Sequence, residues 1–195
     1  MKKIFSNAIN SIAACALSMP IFCLFSFEIS AQTVSEALIK RIEASSQRIS
    51  PVRAKAIDTQ QSYALEKAQC WLDFSKHEAL RNNPTQVPEL AHQKATQLLG
   101  ALEAGSAPAA FALNSSLLGD DKRMRNDLWA QLEVIKSSKQ MACAAKEVAC
   151  SEVMLVQAAH AHERIDWRYA QPYFGMAEDG VRAAKKQAAA CPLAQ

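Results

Sequence analysis

The chain has 195 residues, half of them hydrophobic, and carries 22 Lys and Arg against 19 Asp and Glu, a formal net charge of +3 at pH 7. This near balance excludes binding to nucleic acid through charge alone, so no nucleic-acid partner is expected. A chain of this length buries about two-thirds of its unfolded surface in one core, which predicts a single domain.

Residues 1–31 have the layout of a secretory signal peptide. Two N-terminal lysines precede an apolar run at 12–27, and the small residues Ser30 and Ala31 follow it. This order predicts export and cleavage after Ala31. The apolar run is near the lower limit of the roughly 17–25 residues that cross a bilayer, so an uncleaved anchor is the alternative. A lipoprotein attached through Cys15 is a third interpretation.

The composition after the signal peptide is typical of helices. Ala, Leu, Gln, Glu and Lys are abundant, Gly is scarce, and strand-like alternation of any length is missing from the sequence. The segment 32–55 is predicted to be a short helix or a mobile N-terminal arm. The helical bundle domain is predicted to cover 56–195.

Apolar periodicity predicts five longer helices, four of which begin at an acidic or proline signal or end before a proline. They cover about 52–80, 89–103, 120–142, 146–164 and 166–190. A loop is predicted at 105–119, whose apolar side chains would pack as a lid over the end of the bundle. A corner between two helices is predicted at 143–150.

Short connections between long amphipathic helices place neighbouring helices antiparallel. The sequence therefore predicts an all-α fold, an antiparallel up-and-down bundle of four to five helices. The alternative is a stack of tetratricopeptide-like helical hairpins, because the run at 166–174 resembles the first helix of such a repeat. A clear thirty-four-residue period is missing, which favours the bundle.

Four cysteines follow the signal peptide, and an even number in an oxidising compartment predicts two disulfides. Four cysteines allow three pairings. We favour Cys143 with Cys150, which would close a small loop between two helices. We pair Cys70 with Cys191, which would tie the tail to an early helix across a long loop. The alternative is that some of these thiols are buried small hydrophobes.

The sequence contains no motif that indicates catalysis. Gly-x-Ser-x-Gly, Walker and dinucleotide-binding loops are missing, so we expect a protein that is not an enzyme, with no catalytic residue and no cofactor. His160 and His162 are about 200° apart around a helix, whereas a zinc helix needs histidines at i and i+4. We therefore expect no metal site, place His162 on a buried stripe, and expect His92 at the surface.

The densest aromatic cluster lies at the start of the last predicted helix. It contains Trp167, Tyr169 and Tyr173 and is flanked by Arg164 and Arg168. Packing between helices is the simpler interpretation. The functional interpretation is a groove edge that binds a partner, because Trp, Tyr and Arg are enriched at binding hot spots.

Two segments, 63–74 and 167–178, together resemble a helical periplasmic region of proteobacterial envelope proteins. In those proteins the region precedes an OmpA-like peptidoglycan-binding domain. The resemblance covers about residues 56–190. We expect no OmpA-like domain here, because the chain ends at Gln195, and peptidoglycan binding is therefore assigned to no residue. The resemblance implies a location in the cell envelope and a non-enzymatic interaction role.

These observations predict an exported, non-enzymatic cell-envelope protein in the periplasm of a Gram-negative bacterium, with no membrane span after cleavage. It would be a helical interaction module that binds another periplasmic or cell-wall-associated component. The alternative is a periplasmic small-ligand carrier that uses the interior of the bundle.

Overall fold

The computed structural model describes residues 35–55, 58–105 and 122–192, and these ranges are helical apart from their connections and ends. The predicted all-α helical bundle is confirmed. Helix α1 covers 35–47. The later helices are α2 (Ile49–Arg53), α3 (Thr59–Leu80), α4 (Val87–Glu103), α5 (Asn126–Lys136), α6 (Met141–Arg164) and α7 (Trp167–Ala190). The predicted signal peptide at 1–31 and nearly all of the predicted lid loop at 105–119 lie outside the described residues.

Two helical hairpins enclose the core. Helices α3 and α4 form the first hairpin, helices α6 and α7 form the second, and α6 also contacts α3 and α5. On one side of α3 the Ser75 hydroxyl donates to the Pro88 carbonyl oxygen of α4 at 2.6 Å. Another side of α3 faces α6. Helix α3 is therefore buried between two neighbours, and both of its packed faces carry core residues.

The N-terminal segment 35–55 is helical and packs against the first hairpin. Ile42 is 1 % exposed, and the Ser45 hydroxyl lies 3.0 Å from Nε2 of His92 on α4. The expectation that His92 lies at the surface is wrong, because this segment covers it and leaves it 7 % exposed. Two ion pairs, Arg41–Glu89 and Arg48–Glu103, join α1 and the residue after it to α4.

Three predicted helix boundaries are wrong. The predicted helix at 120–142 covers only Asn126–Lys136, because residues 122–125 are not helical and the chain turns after Lys136. The predicted helix at 52–80 is divided, because α2 ends at Arg53 and α3 begins after Asp58, whose carboxylate accepts from the Gln61 N–H at 2.7 Å. The predicted corner at 143–150 lies inside α6, and the chain turns at 137–140 instead. Lys139, which interrupts the apolar stripe, was the sequence signal for that turn.

The four predicted disulfide cysteines are paired, but both favoured pairings are wrong. Cys70 of α3 pairs with Cys150 of α6 with a Cα–Cα distance of 5.3 Å. Cys143 pairs with Cys191 with a Cα–Cα distance of 5.7 Å. Cys143 and Cys150 cannot pair, because seven residues of one helix span about 10 Å along its axis, beyond the roughly 7 Å that a disulfide bridges. The start of α6 instead meets the end of α7, as expected for a hairpin.

Helix α7 packs against α6 with a heptad pattern. Its buried residues alternate in steps of four and three, which is the spacing of a coiled-coil seam. These residues are Ala170, Phe174, Ala177, Val181 and Ala184. Small side chains at three of the five positions let the two helices approach closely. Gly180 lies at the same interface, where a Cβ atom would overlap the Ser151 hydroxyl of α6.

Two glycines of α7, one exposed and one at the interface with α6, provide a matched test of this packing. We expect Gly175→Ala to stabilise the protein by about 0.5–1 kcal/mol, because Ala favours a helix over Gly and its Cβ would meet nothing within 4 Å. We expect Gly180→Ala to destabilise it by about 1–2 kcal/mol through overpacking, since the Ser151 hydroxyl must leave the Glu147 carbonyl oxygen to which it donates. Urea denaturation measures both changes.

The control is Gly180→Ala combined with Ser151→Ala, which removes the obstructing hydroxyl and should restore most of the lost stability. Equal stabilisation by Gly175→Ala and Gly180→Ala would contradict the close approach of α6 and α7.

The disulfide pairing is tested by tryptic digestion of the non-reduced protein. Cleavage at Lys146 separates Cys143 from Cys150, so each cysteine lies on its own peptide. We expect residues 68–76 linked to 147–164, and residues 140–146 linked to 187–195. Detection of 140–146 linked to 147–164 as the main product would refute the packing of α6 described here.

Candidate functional site

A pocket of about 280 Å³ opens at one end of the bundle. It lies between two turns, the one that joins α3 to α4 and the one that joins α6 to α7. Both helical hairpins therefore contribute to it, and eight of its fourteen lining residues are polar or charged. Polar groups that converge on a concave site can orient a bound ligand.

The turn between α3 and α4 is fixed by its own asparagines. Asn82 adopts a left-handed conformation with φ of 53°, which Asn tolerates better than most residues. The Asn83 side-chain oxygen accepts from the Thr85 N–H at 2.9 Å, and the Asn83 N–H donates to the Glu78 carbonyl oxygen at 3.1 Å. These local hydrogen bonds end α3 and hold one wall of the pocket in place.

The turn between α6 and α7 is held in a similar way. Asp166 caps α7, because its carboxylate accepts from the Arg168 N–H at 2.7 Å, as the sequence predicts. The N–H groups of Ile165 and Asp166 both donate to the Ala161 carbonyl oxygen. This turn leaves the Ile165 side chain 58 % exposed, beside the mouth of the pocket.

Glu78 is the buried carboxylate of the pocket. Glu78 is only 5 % exposed. The Tyr173 hydroxyl donates to Oε1 at 3.2 Å, and the Asn83 amide donates to Oε2 at 2.7 Å. Burial and the neighbouring Glu78 carboxylate raise the pKa of Tyr173, so the phenol remains a hydrogen-bond donor at neutral pH.

Gln157 carries an unused hydrogen-bond acceptor. The residue lies on α6, lines the pocket and is 4 % exposed. Its Oε1 atom has no hydrogen-bond partner among the described residues. A buried acceptor without a partner costs about 1–3 kcal/mol, and buried polar groups in folded proteins are nearly always satisfied. The amide is therefore a place where a bound donor would recover free energy.

The structure brings together three of the five residues predicted for partner binding. Arg164, Tyr169 and Tyr173 line the pocket. Trp167 and Arg168 lie outside its lining, and the Arg168 guanidinium stacks on the Trp167 ring with 4.8 Å between its Cζ atom and the ring centroid. Trp167 is 52 % exposed and Tyr169 is 58 % exposed, so these two rings are not mainly helix-packing residues.

Sequence reasoning missed Glu78, Gln157 and His160. His160 is buried and His162 is exposed, so the placement of His162 on the buried stripe is wrong. The available signal was the pair of polar residues, Gln157 and His160, inside the otherwise apolar run at 153–161. Polar residues on a buried stripe indicate either a hydrogen-bond network or a site.

A second polar cluster lies in the core, away from the pocket lining. Lys67 and Tyr63 of α3 are each 1 % exposed, and Glu152 of α6 is fully buried. The Lys67 ammonium lies 2.7 Å from Glu152 Oε2, the Tyr63 hydroxyl donates to the same oxygen, and Lys136 of α5 lies 3.0 Å from Oε1. The cluster therefore joins three helices through one carboxylate.

The pKa shifts in this core cluster have clear physical causes. Burial alone raises the pKa of Glu152, but Lys67, Lys136 and the hydrogen bonds outweigh it and hold the pKa below its ordinary value of 4.5. Burial lowers the pKa of Lys67, and the Glu152 carboxylate opposes part of that effect. Burial and Glu152 also raise the pKa of Tyr63, so its phenol stays protonated.

Within 35–55, 58–105 and 122–192, His, Cys, Asp and Glu side chains do not gather in threes that could hold a metal ion. None of the helices in these ranges combines the length and the apolar character needed to cross a bilayer.

No protein-family model, curated protein or solved structure matches this chain.

The core cluster predicts a pH-dependent effect of Glu152→Gln. At pH 7 the variant should lose about 3 kcal/mol of stability, because Lys67 is left buried without a countercharge. The Glu152 pKa is lower in the folded than in the unfolded protein, so its ionised form stabilises the fold fully above about pH 4.5. That contribution disappears as the pH falls through the folded-state pKa.

The measurement is the free energy of unfolding of both proteins between pH 3 and pH 7. The gap between them should narrow as the pH falls below 4.5. Glu133→Gln is the matched control, because that side chain is 47 % exposed and the loss of a solvent-exposed ion pair should cost little. A gap that stays constant down to pH 3 would show that the Glu152 charge does not stabilise the core.

Proposed function

We propose that this chain is an exported, non-enzymatic interaction protein of the cell envelope, and that it binds a periplasmic or cell-wall-associated component with the α6–α7 end of the bundle. The supporting observation is a patch of three large apolar side chains, Ile165, Trp167 and Tyr169, each more than half exposed. Exposed apolar and aromatic groups that surround a pocket are typical of interaction sites.

The disulfides support the proposal of export. Disulfides such as Cys70–Cys150 and Cys143–Cys191 persist in oxidising compartments and are rare in the cytosol. The predicted signal peptide and the resemblance to helical envelope proteins point to the same compartment. Periplasmic location, the envelope role and the absence of enzymatic activity all belong to this proposal.

The binding surface has the features of a pre-organised hot spot. The caps and turns described above hold both walls of the pocket, and Cys143–Cys191 joins the far ends of the α6–α7 hairpin. A partner would then find the aromatic patch already in place, so little conformational entropy is lost on binding. Stacking of Arg168 on Trp167 limits the motion of both side chains in the same way.

Site-specific photo-crosslinking in intact cells tests this proposal. We expect a photoreactive phenylalanine analogue at position 169 to give one dominant adduct, identified by mass spectrometry in the envelope fraction. The matched control carries the same analogue at position 185, an exposed position on the same helix. Trp167→Ala should reduce the adduct at position 169 about tenfold or more, as a hot-spot loss of at least 1.4 kcal/mol requires.

Identical adducts at positions 169 and 185, or recovery of the unprocessed protein only from the cytosol, would contradict the proposal.

A further inference from the structure

We propose that the pocket between the two turns binds a free aliphatic α-amino acid. Its ammonium group would meet Glu78 and Gln157, and its carboxylate would meet Arg81 and Arg164. This ligand goes beyond the partner binding proposed above, because it occupies the pocket, whereas the partner binds the exposed patch. Two side chains of that patch, Ile165 and Tyr169, also line the pocket.

The buried side of the pocket offers acceptors. Glu78 has a carboxylate with about four acceptor positions, and in the described ranges a phenol and an amide each donate a hydrogen bond to it. Gln157 Oε1 adds an acceptor that has no partner among the described residues. Three donors of a protonated amine match this set, and the Tyr173 ring beside Glu78 also favours a cation.

The rim of the pocket has the opposite character. Arg81 directly follows α3, and Arg164 is the last residue of α6. Both residues line the pocket and both are exposed. Guanidinium groups bind carboxylates in a bidentate geometry. A ligand with only an amine would be repelled by this rim, and a ligand with only a carboxylate would leave the acceptors of Glu78 and Gln157 unused. A zwitterion satisfies both sets.

The size and the apolar walls define the rest of the ligand. The volume of about 280 Å³ lies just below the roughly 300–1,000 Å³ of pockets for drug-sized molecules. The lining also contains the apolar side chains of Pro84, Val87, Ala161 and Ile165. These side chains favour an aliphatic group over a charged one, so leucine is the test ligand.

The test is a titration of the full exported protein with three compounds, followed by calorimetry and by amide chemical shifts. L-Leucine carries both charges, N-acetyl-L-leucine lacks the ammonium, and 3-methylbutylamine lacks the carboxylate. We expect L-leucine to bind and to shift amides of both turns, and each analogue to bind about tenfold or more weakly, as loss of one charged hydrogen-bonded group predicts. Equal binding of the three compounds, or no binding of L-leucine at millimolar concentration, overturns the proposal.

The Gln157→Met variant tests whether Gln157 binds the ligand or only stabilises the fold. The substitution keeps the length of the side chain. It removes an acceptor that has no partner among the described residues and also the hydrogen bond between the Gln157 side chain and Tyr173. These two losses have opposite signs, so the melting temperature should change little. Leucine binding should weaken about tenfold or more. A lower melting temperature with unchanged leucine binding would show that Gln157 is structural and would overturn its assignment. Lys185→Ala, on the exposed face of α7, is the control and should change neither quantity.

This inference and the proposed function fail in different ways. Leucine binding without a specific adduct at position 169 supports the amino-acid ligand of the pocket and refutes the proposed partner-binding surface. A specific adduct at position 169 without leucine binding supports the partner surface and refutes the amino-acid ligand.

Discussion

The fully buried carboxylate of Glu152 is the constraint on which the rest of the structure depends. A charge without solvent is tolerated only when its countercharge and hydrogen bonds are in place. Lys67 of α3 and Lys136 of α5 supply positive charges, and Tyr63 of α3 donates a hydrogen bond. Because any sliding of these helices would leave the charge unpaired, the cluster selects one alignment of α3, α5 and α6. Cys70–Cys150 fixes the same α3–α6 contact covalently.

This alignment determines where the site forms. With α3 and α6 held together at the core cluster, their last turns reach the same end of the bundle, and the two turns that follow face each other. Glu78 and Gln157 then line one pocket although they are 79 residues apart in the chain. The second disulfide and the heptad seam hold α7 on α6, which places Tyr169 and Tyr173 beside that pocket.

Apolar periodicity was sufficient to predict the helical class and most of the helices. The Asp166 cap, the end of α3 before Pro84 and the buried stripe of α7 were all visible in local patterns. The turn at 137–140 and the disulfide pairing were missed for one reason. A pairing of Cys143 with Cys150 requires a loop at that position, whereas the helical pattern runs through both residues.

The polar groups of the core and of the pocket were harder to predict, because their partners are distant in sequence. Lys67 and Glu152 are 85 residues apart, and no local pattern shows that one charge will neutralise the other. The aromatic cluster was easier, since Trp167, Tyr169 and Tyr173 are neighbours in the chain. The sequence therefore singled out the exposed aromatic side chains of the candidate site, whereas the buried acceptors became visible only in three dimensions.

The most direct test of this account is a double-mutant cycle between Lys67 and Glu152, measured as unfolding free energies at pH 7 with both disulfides intact. The single variants are Lys67→Met and Glu152→Gln. We predict a coupling free energy of about 2–3 kcal/mol, at the upper end of the range for residues in direct contact. A coupling near zero would show that the two charges act independently, and would contradict the claim that their pairing aligns the helices.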